Sequence, residues 1–431
     1  MAKTYDTYKD SGIAWIGEIP SKWEVEKVRH LFKQRNSKGN ATAVLLSATQ
    51  LNGMYPQHLL EGVVQVHQDT DIQTFRTVHK NDYVISLRSF QGGFEMSDYE
   101  GVCSPAYQVF YNTSNICHHY YKLLFKSQGF ISMINSLVVG IREGKNIQYD
   151  TFSYSYLPMP PISEQQAIAS FLDKKCGEID SLIALQEEMI GELQAYKQSV
   201  ITEAVTKGLD PNAKMKDSGV EWIGEVPENW EVKILSKIIW LRARLGWKGL
   251  KAEEYVEFGY PFLSAFNIIN NQLNWSGLNY INKQRYDESP EIKLSVGDVL
   301  IVKDGAGIGK TARVDSLPYG KSTVNSSLGV ITPSEILDYQ YLYYFLLSNP
   351  FQNMVGFLKN GMGVPHLTQE NIKSALIPIP PISEQRAIAS YLDAKTAQID
   401  SLISLKQEKI DELKDYKKSV IYEYVTGKKR V

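Results

Sequence analysis

The sequence predicts an α+β protein in which two mixed α/β modules are separated by an antiparallel pair of long helices, the halves being related by a pseudo-two-fold. Three observations predict it. Residues 160–206 recur at 380–426, 220 positions on, with 31 of 47 residues identical and no gap. Residues 9–25 (KDSGIAWIGEIPSKWEV) recur at 216–232, 207 positions on, with 12 of 17 identical. The stretches between the copies barely match. The two periods differ by 13 residues, so the modules differ in length while the frame around them is constant. Two copies of so long a period are a fused duplication, since a solenoid needs at least three short repeats. The chain therefore divides into residues 1–160, 161–215, 216–380 and 381–431.

In chain order, the first module carries strand-like runs at 43–46, 62–66, 82–87 and 107–111, then an aromatic-rich helix at 120–127. The first repeated block opens on a short amphipathic helix, 163–175, with Ala167, Ile168, Phe171 and Leu172 apolar. Ser163 followed by Glu164 suits its N-terminus. A longer helix follows over 178–206, with Ile179, Leu182, Ile183, Met189, Leu193, Tyr196, Val200 and Ala204 mostly three or four apart. Gly208 stands just past it, as Gly427 does in the second copy.

The second module repeats the plan, with strands at 261–263, 298–302, 311–314 and 328–332 and a helix at 339–348. The second long helix repeats the seam with Ile399, Leu402, Ile403, Ile410, Leu413, Tyr416, Val420 and Tyr424. Amphipathic helices of this length need a partner, and the other copy is the economical one. Leu182, Leu193, Tyr196 and Val200, with Leu402, Leu413, Tyr416 and Val420, are the expected pairing and docking residues. Leu46-Ser47-Ala48 echoes Leu263-Ser264-Ala265, and Asn81-Asp82 echoes Gly297-Asp298, so the modules share a fold and differ in surface. Midway, the long helix runs on into Trp222-Ile223-Gly224-Glu225. The same motif at Trp15-Ile16-Gly17-Glu18 is accordingly expected against the end of the C-terminal helix.

Composition bounds the function. The 431 residues carry 46 basic and 48 acidic side chains, and 43% are hydrophobic. Residues 1–160 hold 15 basic and 14 acidic side chains, so a nucleic-acid footprint has to be local or shared with a partner. No apolar run is long enough for a membrane span, and the N-terminus lacks a signal-peptide pattern. Cys103, Cys117 and Cys176 read as free thiols of a reducing cytoplasm.

No catalytic constellation emerges. Residues 304–311 (DGAGIGKT) approach a phosphate-binding loop, but Asp304 occupies the first glycine position, where its charge would oppose a phosphate. A glycine-rich turn presenting Lys303 and Lys310 to DNA, or a plain tight turn, fits better. Asn349-Pro350-Phe351 lacks a second proline and reads as a helix C-terminus. His118 and His119 read as a surface pair, and Trp15, Trp23, Trp222 and Trp230 as packing residues. Groups able to grip phosphates or base edges lie in loops: Ser47, Thr49, Gln50, Arg88, Gln91, Arg142 and Lys145 in the first module. In the second they are Arg242, Arg244, Lys303, Lys310, Asn325 and His366. A solvated loop is the plain alternative for each.

Two divergent modules, each opened by Trp-Ile-Gly-Glu-x-Pro and closed by Pro-Pro-Ile-Ser-Glu-Gln with Asp173 or Asp393 downstream, resemble the specificity subunit of type I restriction-modification systems over essentially the whole chain. The resemblance implies two target-recognition domains, each reading one half of a split, non-palindromic site on double-stranded DNA, with the helix pair as ruler. It also implies methyltransferase subunits, usually two, on the constant regions, and motor-nuclease subunits that join them. S-adenosylmethionine, ATP and Mg then belong to those partners, and this chain holds no cofactor or metal and catalyses nothing. A helix of about 28 residues spans on the order of 40 Å, comparable with half-sites one DNA turn, about 34–36 Å, apart. A coiled-coil scaffold for proteins, and a partner of a type II-like enzyme, are the competing readings.

Overall fold

The computed structural model describes residues 4–39, 43–49, 52–60, 72–137, 147–244, 250–305, 307–359 and 366–431. The expected strand at 62–66 and the candidates Gln50, Arg142 and Lys145 lie outside them. The chain forms two compact units: Met1–Glu187 with Glu408–Val431, and Glu188–Gln407.

Each unit is built on the same plan. In the first, an antiparallel four-stranded sheet has the order Phe32–Arg35, Gln108–Asn112, Tyr83–Ile85, Glu95–Met96. In the second the order is Ile239–Ala243, Leu328–Pro333, Val299–Val302, Thr311–Arg313. The register sets Phe110 opposite Tyr83 and Leu300 opposite Val330. A separate strand pair closes each module, Glu24–Lys27 with Tyr156–Met159 and Glu231–Ile234 with Leu376–Ile379. An aromatic-rich helix covers each sheet, His118–Lys126 and Tyr339–Leu347. The first core is mainly aromatic, with Phe32, Tyr83, Phe94, Phe110, Phe125 and Phe152 packed together. The second is more aliphatic, around Val299, Ile301, Ile331, Leu342 and Leu346.

The closing motif acts through its glutamine. Gln165 is buried; its Oε1 accepts from the Cys117 N–H at 2.9 Å and its Nε2 donates to the Pro160 carbonyl at 2.8 Å. Gln385 repeats this with the Asp338 N–H at 2.8 Å and the Pro380 carbonyl at 2.9 Å. Cys117 and Asp338 are the N-cap residues of the aromatic helices. The frame thus supplies an acceptor for the N–H of each N-cap residue, one of the groups a helix N-terminus leaves without an intrahelical partner. Asp173 and Asp393 grip the same helices further along, through His119 at 2.5 Å and the Tyr344 hydroxyl at 2.6 Å. These contacts fix each module on the helix that follows it.

Two expectations are corrected here. The short and long helices expected in each block are one: Ile162–Lys207 runs unbroken for 46 residues and Ile382–Val425 for 44. Gly177, which lies between the two expected helices, has open space around it, and a mid-helix glycine costs only about 1 kcal/mol. Asn349-Pro350-Phe351 is not a helix end. It opens a second helix, Asn349–Lys359, immediately after Ser348. Proline is tolerated in a first turn because the N–H it lacks has no intrahelical acceptor there.

The long helices pair antiparallel within each unit. In the first, Phe171 packs on Tyr424 with ring centroids 4.6 Å apart and Lys417 bonds Asp180 at 2.7 Å. In the second, Lys197 bonds Asp400 at 2.7 Å, the same ion pair by the repeat. Val200 and Val420 are buried, and Leu193 and Leu413 half-buried. Leu182, Tyr196, Leu402 and Tyr416 lie at the margin of the seam: each keeps about half of its surface exposed, and the Lys395 ammonium of the opposite helix stands 5.5 Å from the Tyr196 ring. Ile179, Ile399 and Ile410 are buried on the long helices, and Val200 and Val420 are buried in the module cores.

The opening motif lies where the repeat places it. The Tyr422 hydroxyl donates to the Trp15 carbonyl at 3.0 Å, and the Tyr120 hydroxyl to the Val425 carbonyl at 2.7 Å. Gly427, at φ +73°, ends the helix so close to Pro20 that a Cβ would meet Pro20 Cδ at 2.3 Å. A circular permutant opened within 208–214, with residues 431 and 4 joined by a short Gly/Ser linker, is therefore expected to fold. Circular dichroism should show a cooperative transition near that of the native order; a molten chain would contradict it.

Candidate nucleic-acid interface

In each module the loop after the third core strand carries the polar candidates. In the second, Val299–Val302 turns back antiparallel into Thr311–Arg313. The glycine-rich segment is thus a hairpin, with no helix N-terminus for a phosphate to approach. Thr311 is buried and its hydroxyl donates to the Gly309 carbonyl at 3.2 Å. Gly309 sits at φ +87°, and a Cβ there would come within 2.9 Å of Val355. The Asp304 carboxylate hydrogen-bonds His366. This hairpin is not a nucleotide loop.

Three other turns converge on it through backbone hydrogen bonds. The Lys303 N–H donates to the Ser327 carbonyl at 2.8 Å and the Leu367 N–H to the Lys303 carbonyl at 2.9 Å. The Asn325 N–H donates to the Leu263 carbonyl at 2.8 Å, which ties in the Ala265–Asn267 turn. Lys303, Lys310, Asn325 and His366, scattered over 64 positions, are thereby brought to one end of the module. Asn325 shapes its own turn, its Oδ1 accepting from the Ser327 N–H at 3.1 Å. Lys310 and His366 are exposed. Lys303 is only 7% exposed; burial pushes its ammonium below the usual lysine range, while the Asp304 charge pulls the other way.

Arg242 and Arg244 do not belong to this surface. Arg242 is 7% exposed, and its Nη2 donates to both Asp298 oxygens at 3.1 and 2.9 Å under the Trp240 ring. Arg244 is 4% exposed and bonds the Ser289 hydroxyl at 3.2 Å. Both guanidiniums are committed inside the fold. The first module has the counterpart pair, with Arg35 Nε 2.6 Å from Asp82 and the guanidinium over the Tyr111 ring.

In the first module Arg88 and Gln91 are exposed on the short turn Ser89–Gly92 and its N-cap. Ser47 is buried in the hairpin formed by Leu46–Thr49 and Gly53–Pro56. The Thr49 hydroxyl is spent there too, donating to the Gly53 carbonyl at 3.0 Å. The sequence reading missed Phe266, which stands on the Ala265–Asn267 turn.

Comparison with known proteins agrees with this geometry. The family model described as type I restriction modification DNA specificity domain matches residues 20–194 and 227–415. The chain belongs to that family. The two matches of the specificity domain start 207 residues apart and end 221 apart, within one residue of the 207 and 220 offsets of the internal repeat. Over 423 residues the chain is 25% identical to the type I restriction enzyme MjaVIII specificity subunit of Methanocaldococcus jannaschii, covering 96% of this chain and 94% of that one. A 209-residue stretch is 27% identical to the Escherichia coli EcoKI specificity subunit, 48% of this chain and 44% of that one. In fold it is similar to a chain from a study of complex assembly and conformational transition of the type I R-M system. That match has a TM-score of 0.69 at 16% identity, covering 94% and 98% of the two chains. Among the described residues no group of His, Cys, Asp and Glu is placed to hold a metal ion, and no helix is long and apolar enough to cross a membrane.

Proposed function

We propose that this chain is the sequence-reading subunit of a type I restriction-modification complex. Each module reads one half of a bipartite, non-palindromic site, and the helix pair sets the spacing. One observation carries the reading: two modules of one topology, gripped alike by Gln165 and Gln385, end in unlike polar loops. Arg88 and Gln91 serve the first half-site; Lys310, Asn325 and His366 serve the second, with the buried Lys303 tying their turns together through its backbone. Arg and Gln match base edges as forked or paired donors and acceptors, and lysines hold phosphates.

Methyltransferase subunits dock on the helix pair. Leu182, Leu185 and Tyr416 in one unit, and their repeat equivalents Leu402, Leu405 and Tyr196 in the other, keep about half of their surface exposed. Two equivalent apolar trios suit two copies of one partner. Methyl transfer and the ATP-driven steps then occur on partner chains that bind S-adenosylmethionine, ATP and Mg, and this chain supplies address and spacing in the cytoplasm. The near-neutral charge fits a subunit whose partners share the phosphate contacts.

Exchange of residues 24–157 for the corresponding module of another family member tests the proposal. Mapping of methylated bases in cells carrying the exchanged gene is expected to show one half-site replaced and the other kept. Change in both halves, or in neither, would refute modular reading.

A further inference from the structure

The reading end of the second module carries a group with no hydrogen-bonding capacity. Phe266 is 92% exposed. A lone exposed apolar residue is ordinary, but the support beneath this one is stiff. The Ser264 N–H donates to Asn267 Oδ1 at 2.9 Å, and the Asn267 N–H returns to the Ser264 carbonyl at 2.9 Å. The Asn274 N–H donates to the Asn267 carbonyl at 2.8 Å. The strand entering the turn is pinned by Asn325, and the next bonded turn carries Lys303. In the first module the equivalent position, three residues after the shared leucine, is Thr49, whose hydroxyl also accepts from the Asn52 N–H at 3.0 Å.

We propose that Phe266 is a stacking wedge, its ring lying against a partly unstacked base step in or beside the half-site read by the second module, with no counterpart at the first half-site. The inference rests on the DNA-reading function proposed above. A phenyl ring cannot read the donor and acceptor pattern of a groove. An apolar ring that enters a duplex instead opens a base step, and the cost of that opening depends on the step. Flexible pyrimidine–purine steps yield most easily. Phe266 therefore adds discrimination at a step that no polar side chain has to touch. Lys310, exposed on the adjoining turn, supplies phosphate attraction that holds the duplex against the ring.

The test uses the complex assembled with its methyltransferase subunits and duplexes carrying 2-aminopurine at each adenine position of both half-sites and their flanks in turn. Apart from the target bases, which the methyltransferase subunits themselves draw out of the stack, binding of the native complex is expected to raise 2-aminopurine emission at one step of the second half-site and at none of the first. Phe266→Ala should abolish that rise and weaken specific binding about 10- to 100-fold, the range of one lost base–aromatic contact. Low-salt, non-specific binding and the melting temperature should not move, because the ring packs on nothing. Phe266→Trp should keep the emission change. A rise at that step that survives Phe266→Ala, or specific binding unaltered by it, would overturn the wedge while leaving the reading function intact. A native complex without sequence-selective binding would overturn both.

Discussion

Arg242→Ala and Asp298→Ala are each expected to destabilise the protein by about 3–5 kcal/mol, because either change leaves the partner's charge buried without a counter-ion. The Arg242 and Asp298 side chains are almost fully buried, and their pairing is closed by Thr332, which hydrogen-bonds both. Asp298 also accepts from the Ser295 N–H at 2.8 Å, so it anchors the turn before the third strand as well. Denaturant unfolding followed by tryptophan fluorescence would measure the loss. The double change Arg242→Met, Asp298→Leu should recover much of it, since an apolar pair of similar volume removes both desolvation penalties. The Arg35–Asp82 pair should matter less, because Arg35 is partly solvated. Were Arg242 instead a DNA contact, its loss would weaken binding and spare stability. Unfolding curves superimposable on the native one would therefore refute the structural role.

What could be read from the sequence, and what could not, follows from the range of the interactions. The duplication was legible because the frame repeats with identical residues, and those residues make identical contacts: Gln165 and Gln385 cap helices, and the Asp180–Lys417 pair reappears as Lys197–Asp400. The strands of the second module were legible from their β-branched runs. The expected helix break does not exist, because the pairing of a long helix outweighs the local interruption of the apolar pattern between residues 175 and 178. Arg242 and Arg244 were misread because their partners lie 56 and 45 positions away, beyond any local pattern. Leu182 and Tyr196 fit the helical period yet keep about half of their surface exposed, since periodicity identifies an apolar stripe without dividing it between one partner and another. Phe266 was passed over because a phenylalanine beside a strand-like run reads as core. One signal could have found it: Ser264 and Asn267 bracket it in a capping pattern, and Thr49 stands at the matching place in the first module.

Lengthening both long helices by seven residues, after Glu188 and after Glu408, is expected to widen the recognised spacer by about three base pairs while every base read stays the same. Seven residues are close to two turns, so the helix faces are restored to within about 20°. They add about 10.5 Å of helix at about 1.5 Å per residue, and duplex DNA rises about 3.4 Å per base pair. Insertions at repeat-equivalent points leave Asp180 facing Lys417 and Lys197 facing Asp400, because each pair lies wholly on one side of both cuts. An insertion in one helix alone would leave seven residues without a facing partner in the other helix. It should bow the pair and abolish methylation even where the chain stays folded. Four residues in each helix would add about 6 Å but turn the faces by about 40° at 3.6 residues per turn, so methylation should weaken more than after seven. Mapping methylated motifs in cells carrying each variant reads all three outcomes directly. A spacer unmoved by the seven-residue double insertion would mean that the helices do not set the distance, and the ruler would fail even with both modules reading their own bases.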